Sequence, residues 1–122
     1  MLRAQQVTLG SLVLVCKEEA TSFPDISTAA FAELKHVTSV MEGMLAAAFA
    51  FDKVNYLMLR MVDPHVHFHV LPRYASARTF EGMTFEDPAW PKPPDLTASA
   101  VFPEGLRESL RLYLRSRIGA GA

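Results

Sequence analysis

The sequence predicts an α+β fold, in which one long helix covers a small antiparallel sheet and a second helix follows near the C-terminus. Apolar side chains within residues 28–51 recur with a period of 3.6 residues, which is typical of an amphipathic helix. Residues 65–71 instead alternate with a period of two, which is typical of a strand with one buried face. Because both patterns lie within 122 residues, we predict a single domain over residues 1–122.

Two other apolar segments complete the predicted sheet. Residues 7–16 are rich in β-branched side chains and are interrupted by Gly10, which predicts a strand or a hairpin corner followed by a strand. Residues 54–61 are apolar and aromatic, which predicts a buried strand. Asp63-Pro64 is a turn signal between this strand and the alternating one. The short connection predicts a hairpin and therefore antiparallel neighbours.

The segments outside these strands complete the predicted organisation. Pro24, Asp25 and Ser27 precede the long helix and have the chemistry of a turn that ends in a helix N-cap. We predict a core over residues 7–73, a long loop over 74–103 and a C-terminal helix over 104–118.

The predicted long loop contains a proline-rich stretch and several acidic residues. The proline-rich residues 88–94, with Trp90 among them, are interpreted as a lid or a dimer-packing segment. The loop carboxylates are interpreted as a solvated cluster: Glu81, Glu86 and Asp87.

Composition excludes several classes of protein. The formal net charge is −1 and the pI is about 6.4, which argues against nucleic acid as a partner. The longest apolar run, residues 44–51, is too short to cross a membrane. Hydrophobic residues make up 50% of the chain, which excludes a disordered tail. The single cysteine, Cys16, cannot form an intrachain disulfide, so we predict a cytoplasmic location.

The strongest functional signal is a histidine alternation. Three of the four histidines are spaced at i, i+2 and i+4: His65, His67 and His69. On a strand these side chains share one face, and the intervening Val66, Phe68 and Val70 form the core face. Such a row suits phosphate chemistry, because one neutral imidazole can attack phosphorus while its neighbour donates a hydrogen bond. A nucleophilic imidazole must have its other ring nitrogen protonated and held, commonly by a carbonyl.

Two other interpretations of the alternation stay open. The row could be a solvated strand face, or two of its histidines could bind a metal. The outer two lie about 13 Å apart along a strand, whereas zinc holds nitrogen ligands at about 2.0–2.1 Å, so three histidines of one strand cannot converge on one ion. His36, the remaining histidine, lies in the predicted long helix and is interpreted as structural or exposed.

These residues resemble the signature of a known family. His65-Val-His67-Phe-His69-Val-Leu71, followed by Pro72-Arg73, is similar to the motif of the histidine triad (HIT) nucleotide hydrolases and transferases. Residues 10–17, 24–27 and 55–59 resemble, in turn, the family's first strand, the entry to its long helix and the strand before the triad. The resemblance covers roughly residues 10–73.

The resemblance implies a mechanism and a set of partners. His67 would attack the α-phosphate of a nucleotide and form a covalent nucleotidyl-histidine, while His65 and His69 would orient it and contact the phosphate or the leaving group. The implied substrates are purine nucleotide conjugates, such as nucleoside phosphoramidates and dinucleoside polyphosphates. The resemblance also implies that the protein forms a homodimer and that its chemistry needs no metal or other cofactor.

The sequence departs from the family pattern around the triad. Glu19 stands roughly where many members have a fourth histidine, and Met61 and Val62 stand where many have polar residues that contact phosphate. The loop between the last two strands is also several residues shorter than usual. The candidate substrate-binding residues are Arg60, Asn55 and Arg73. The alternative function is therefore a nucleotide-binding or regulatory protein of the same fold without catalysis.

Overall fold

The sheet has the antiparallel architecture that the sequence predicts. The computed structural model describes residues 1–59, 64–97, 99–100 and 102–120. The first part of the chain forms strand β1 (Leu12–Val15), helix α1 (Thr28–Phe49), strand β2 (Lys53–Leu57) and strand β3 (His67–Arg73). The strand order is β1–β3–β2, and β3 is antiparallel to both neighbours. The predicted hairpin of β2 and β3 is confirmed by this pairing.

Helix α1 begins at the predicted cap. The Ser27 hydroxyl accepts a hydrogen bond from the backbone N–H of Ala30 at 3.1 Å. The same hydroxyl and the Ser27 backbone N–H donate to the carboxylate of Glu18, and both hydrogen bonds lower the pKa of Glu18. The helix ends before Ala50, which adopts a left-handed conformation with φ of 49°, two residues earlier than predicted.

The core lies on one side of the sheet, where α1 and a second helix pack against it. The C-terminal half of α1 is buried there, whereas Phe31 in its N-terminal half is 39% exposed. Helix α2 (Glu104–Ser116), two residues shorter than predicted, buries Leu110 and Leu114 in the same core. None of the helices in the described residues combines the length and the apolarity that a membrane span requires.

The segment predicted as a long loop contains a β-hairpin instead. Strands β4 (Arg78–Phe80) and β5 (Met83–Phe85) pair antiparallel, and Glu81 and Gly82 form the turn with positive φ. Phe80 and Phe85 are buried in the core cluster. The prediction is wrong here because strands of three residues are too short to produce a readable alternation.

Candidate active site

The histidines lie on the side of the sheet that faces away from the helices. Val66 and Val70 are 1% and 0% exposed on the helix side, whereas His65 is exposed and His67 and His69 are half-buried on the opposite side. This arrangement agrees with the alternation in the sequence. We call the surface that carries the three side chains the histidine face.

Apolar side chains flank the histidines on the neighbouring strands. Val15 on β1 is opposite His67, and Val13 on β1 is opposite His69. Leu57 on β2 is opposite His69 from the other side. Directly opposed residues of antiparallel strands share a face. His69 therefore lies between two apolar neighbours and His67 beside one, which strengthens electrostatic interactions between the rings and any bound anion.

One ring nitrogen of His67 is held by the backbone. Its Nδ1 lies 2.8 Å from the carbonyl oxygen of His65. A carbonyl can only accept a hydrogen bond, so Nδ1 carries the proton and donates it. In the neutral ring Nε2 then has the free lone pair. The sequence-based requirement for a nucleophilic imidazole is thus met at the middle histidine.

His69 is favoured in its neutral form. Burial, the positive charge of Arg3 and the proximity of His67 lower its pKa, with burial the largest cause. Its Nδ1 is buried and has no hydrogen-bond partner among the described residues. A buried N–H without an acceptor is costly, so the proton of the neutral ring is assigned to Nε2. The ring centroids of His67 and His69 are 5.3 Å apart, in an edge-to-face arrangement.

The predicted substrate-binding residue Arg73 is buried instead. Its side chain is 4% exposed, and its Nε and Nη2 donate to the carboxylate of Asp87 at 2.6 and 3.1 Å. Its Nη1 donates to Asn55 Oδ1 at 2.7 Å, and its Nη2 also donates to the Lys92 carbonyl. With four of its five N–H groups donating to protein acceptors, Arg73 fastens the segment after β5 to the sheet. The hydrogen bond from Arg73 Nη1 also fixes the side chain of Asn55, another predicted substrate-binding residue.

The loop carboxylates are not one solvated cluster. The Asp87 side chain is 1% exposed, because it pairs with Arg73 and also accepts from the Tyr74 backbone N–H at 3.2 Å. The Trp90 ring lies 5.9 Å from Lys53 Nζ, at the same end of β2. The third candidate for substrate binding, Arg60, lies outside the described residues.

A groove lies on the other side of the sheet from the histidines. It has a volume of about 390 Å³ and is lined mainly by apolar side chains of β1, β3 and the N-terminal half of α1, among them Leu14, Phe31 and Phe68. It is therefore separate from the histidine face. In the described part of the chain, no group of three or more His, Cys, Asp or Glu side chains could hold a metal ion.

Sequence reasoning missed two residues near the histidine face. Arg3 influences His69 from a segment that pairs with β1, and Gln6 is 1% exposed inside the turn that follows Arg3. The sequence has no pattern that places a short N-terminal segment beside β1. A glutamine six residues before a strand also carries no signal of burial.

Solved structures with the same fold are histidine triad proteins. One from Sinorhizobium meliloti has a TM-score of 0.74 and 19% identity, over 93% of this chain and 78% of the other. One from Bradyrhizobium japonicum has a TM-score of 0.74 and 22% identity, over the same shares. A hypothetical histidine triad nucleotide-binding protein from Sulfolobus tokodaii has a TM-score of 0.71 and 19% identity, over 98% and 76%. No family model and no curated protein matches the chain. The chain therefore has the histidine triad fold.

Proposed function

We propose that the protein is a nucleotide hydrolase or nucleotidyl transferase that acts on the α-phosphate of a nucleotide conjugate. The proposed substrates are purine nucleoside phosphoramidates or dinucleoside polyphosphates, and His67 is the proposed nucleophile. The histidine triad fold and the nucleotide-binding designation of the Sulfolobus tokodaii protein support a nucleotide ligand. The proposed compartment is the cytoplasm, on the basis of the single cysteine.

The hydrogen bond from His67 Nδ1 to the His65 carbonyl carries this proposal. At 2.8 Å it fixes both the tautomer and the orientation of the ring, so that Nε2 presents a lone pair. A histidine on a merely solvated strand face has no need for such an arrangement. His65 thereby positions the nucleophile through its backbone as well as lying beside it in the row.

The second histidine supplies the complementary group. With its pKa lowered and its proton on Nε2, His69 donates a hydrogen bond to a phosphoryl oxygen while His67 attacks. The bond from His67 Nε2 to phosphorus forms as the bond to the leaving group breaks. Water then attacks phosphorus, releases the nucleoside monophosphate and restores the imidazole. In a transferase another acceptor replaces the water.

The test is a chromatographic assay of nucleotide products. Wild type, His67→Ala and the control His36→Ala are incubated with adenosine and guanosine phosphoramidates, dinucleoside polyphosphates and nucleotide sugars. His36 is a matched control because it is an exposed histidine on α1. We expect wild type and His36→Ala to release nucleoside monophosphate, and folded His67→Ala to release none.

Mass spectrometry of the acid-quenched protein distinguishes catalysis from binding. A nucleotidyl adduct on wild type that is absent from His67→Ala supports the covalent route. Binding of nucleotide without product or adduct, at protein concentrations near that of the substrate, would favour the alternative of a nucleotide-binding or regulatory protein. Stoichiometric metal on two of the triad histidines would favour a metal-binding protein.

We also propose that the protein is a homodimer. The N-terminal half of α1 supports this proposal, because Phe31 is 39% exposed at the apolar groove and Tyr56 on β2 is 37% exposed nearby. Sedimentation equilibrium measures the mass directly. A dimer that Phe31→Glu converts to a monomer is the expected result, and a monomeric wild type at micromolar concentration contradicts it.

A further inference from the structure

The N-terminal segment adds a row of residues to the outer edge of β1. Leu2 forms an antiparallel bridge with Leu12, and the Arg3 backbone N–H donates to the Ser11 carbonyl at 2.9 Å. Leu2 packs against the hydrophobic core. Because neighbouring side chains of an extended segment point to opposite sides, Arg3 lies on the histidine face. It lies opposite Ser11, two residues along β1 from Val13, which is itself opposite His69.

A buried side chain fixes the backbone of Arg3. Gln6 is 1% exposed, and its Nε2 donates to the carbonyls of Arg3 and Ser11 at 2.6 and 2.9 Å. Its Oε1 accepts from the backbone N–H groups of Gly10 and Ser11 at 2.8 and 3.0 Å. The hydrogen bonds of the buried Gln6 side chain therefore fix the turn between the N-terminal segment and β1. Arg3 is thus part of an ordered surface.

Most N–H donors of the Arg3 guanidinium have no acceptor among the described residues. Its Nη1 donates to the Gln5 carbonyl at 2.7 Å. No carboxylate of the described residues lies within 4.0 Å of it, in contrast to Arg73, Arg78, Arg107 and Arg111, which each have an acidic partner. An arginine has five N–H donors, so most of them remain for a ligand. The side chain is half-buried, and its charge contributes to the lowered pKa of His69.

We propose that Arg3 is a phosphate-binding residue, which pairs with the anionic phosphate that His67 and His69 contact. This inference rests on the proposed function and gives it a further residue. A guanidinium is suited to this task, because its planar set of donors matches two phosphate oxygens. It also provides a fixed positive charge on a face whose strand neighbours, Val13, Val15 and Leu57, are apolar.

The test compares adenosine monophosphate with adenosine, which lacks the phosphate. Dissociation constants are measured calorimetrically for wild type, Arg3→Gln, Arg3→Lys and the control Arg107→Gln, an arginine on α2. Arg3→Gln is expected to weaken binding of the monophosphate about tenfold, because a hydrogen bond to a charged group is worth at least that factor. Arg3→Lys is expected to lose less, since it keeps the charge. Adenosine binding and the control are expected to match wild type.

Two results overturn the inference. Equal affinity of Arg3→Gln and wild type for the monophosphate shows that Arg3 does not contact the phosphate. An equal loss for the monophosphate and adenosine shows that Arg3 acts on the nucleoside or on the fold. If His67-dependent turnover occurs and Arg3→Gln matches wild type, only this inference fails. If Arg3→Gln loses phosphate affinity and wild type turns over no substrate, only the proposed catalysis fails.

Histidine NMR titration gives a readout that a purely structural role would not change. In Arg3→Gln the pKa of His69 is expected to rise, because a nearby positive charge is removed, whereas in Arg3→Lys it is expected to stay low. Adding adenosine monophosphate to wild type is expected to shift the resonances of His67 and His69. An unchanged pKa of His69 in Arg3→Gln would place the guanidinium away from the histidine face and contradict the inference.

Discussion

Two arginines lie near the histidine face, Arg3 beside β1 and Arg73 at the end of β3, and their surroundings differ. The Arg73 side chain is 4% exposed, and its guanidinium forms a bidentate salt bridge with the Asp87 carboxylate. Arg3 is half-buried and has no acidic partner among the described residues. A positive charge near a row of histidines therefore does not by itself indicate a phosphate site. An arginine is available for phosphate only where the protein does not already supply hydrogen-bond acceptors for its guanidinium.

The difference follows from the cost of burying charge. Two oppositely charged groups removed from water must satisfy each other and their remaining hydrogen bonds. Arg73 does so with Asp87, Asn55 and the Lys92 carbonyl, and this ties the segment after β5 to the sheet. Arg3 is partly solvated, so water can satisfy its free donors until an anion replaces it. We call the surroundings of Arg73 the closed region and those of Arg3 the open region.

The largest expected effect is in the closed region. Asp87→Ala leaves the Arg73 guanidinium buried without its counter-charge, and it is expected to lower the free energy of unfolding by about 3–5 kcal/mol. Urea denaturation followed by circular dichroism measures this change. The control is Glu108→Ala, which breaks the exposed pair with Arg111 on α2 and is expected to cause little change. Similar losses in both variants would show that the closed region is not stabilised by its buried pair.

A smaller effect is expected in the open region, in the turn that positions Arg3. Gln6→Ala removes four hydrogen bonds, three of them buried, and leaves backbone groups of Arg3, Gly10 and Ser11 without that partner. The free energy of unfolding is expected to fall by about 1–3 kcal/mol, less than for Asp87→Ala because no charge is stranded. Affinity for adenosine monophosphate should fall with it. An unchanged affinity would mean that Arg3 keeps its place without the turn.

The sequence predicts those parts of the fold whose cause is local. The alternation of histidines with Val66 and Val70 needs only the period of a strand, and Ser27 caps α1 through atoms three residues away. Hydrogen bonding of His67 to the neighbouring His65 carbonyl is equally local, two residues along the chain. These features could be deduced without knowing the tertiary structure.

The remaining features depend on residues that are distant in sequence. Arg73 and Asp87 are fourteen residues apart, and nothing in the intervening segment indicates that they pair. The hairpin of β4 and β5 is ordered by burial of Phe80 and Phe85 in the core more than by its own alternation. Arg3 reaches the histidine face only because Leu2 pairs with Leu12. Partner choice at such positions is decided by tertiary packing, which a single sequence does not show.

Acidification is expected to weaken the folded state through His69. Its pKa is lowered in the folded protein, so below the ordinary value of about 6.5 the unfolded chain binds a proton more readily. The contribution of neutral His69 to the stability of the folded state is therefore complete above about pH 6.5. It is lost as the pH falls through the pKa of His69 in the folded protein. Urea denaturation between about pH 7 and pH 5 tests this. In His69→Gln the loss of stability on acidification should be smaller, and an equal loss would contradict the assignment.

The smallest expected change in stability belongs to Arg3→Gln. Arg3 is half-buried and contributes a side-chain hydrogen bond to the Gln5 carbonyl, while its backbone contacts to Ser11 and Gln6 do not depend on the side chain. The free energy of unfolding is therefore expected to stay within about 0.5 kcal/mol of wild type, measured by urea denaturation without ligand. Saturating adenosine monophosphate should then stabilise wild type more than the variant, because a ligand stabilises the state that it binds. A loss of several kcal/mol without ligand would show that Arg3 supports the fold as Arg73 does, and the distinction between the closed and open regions would disappear.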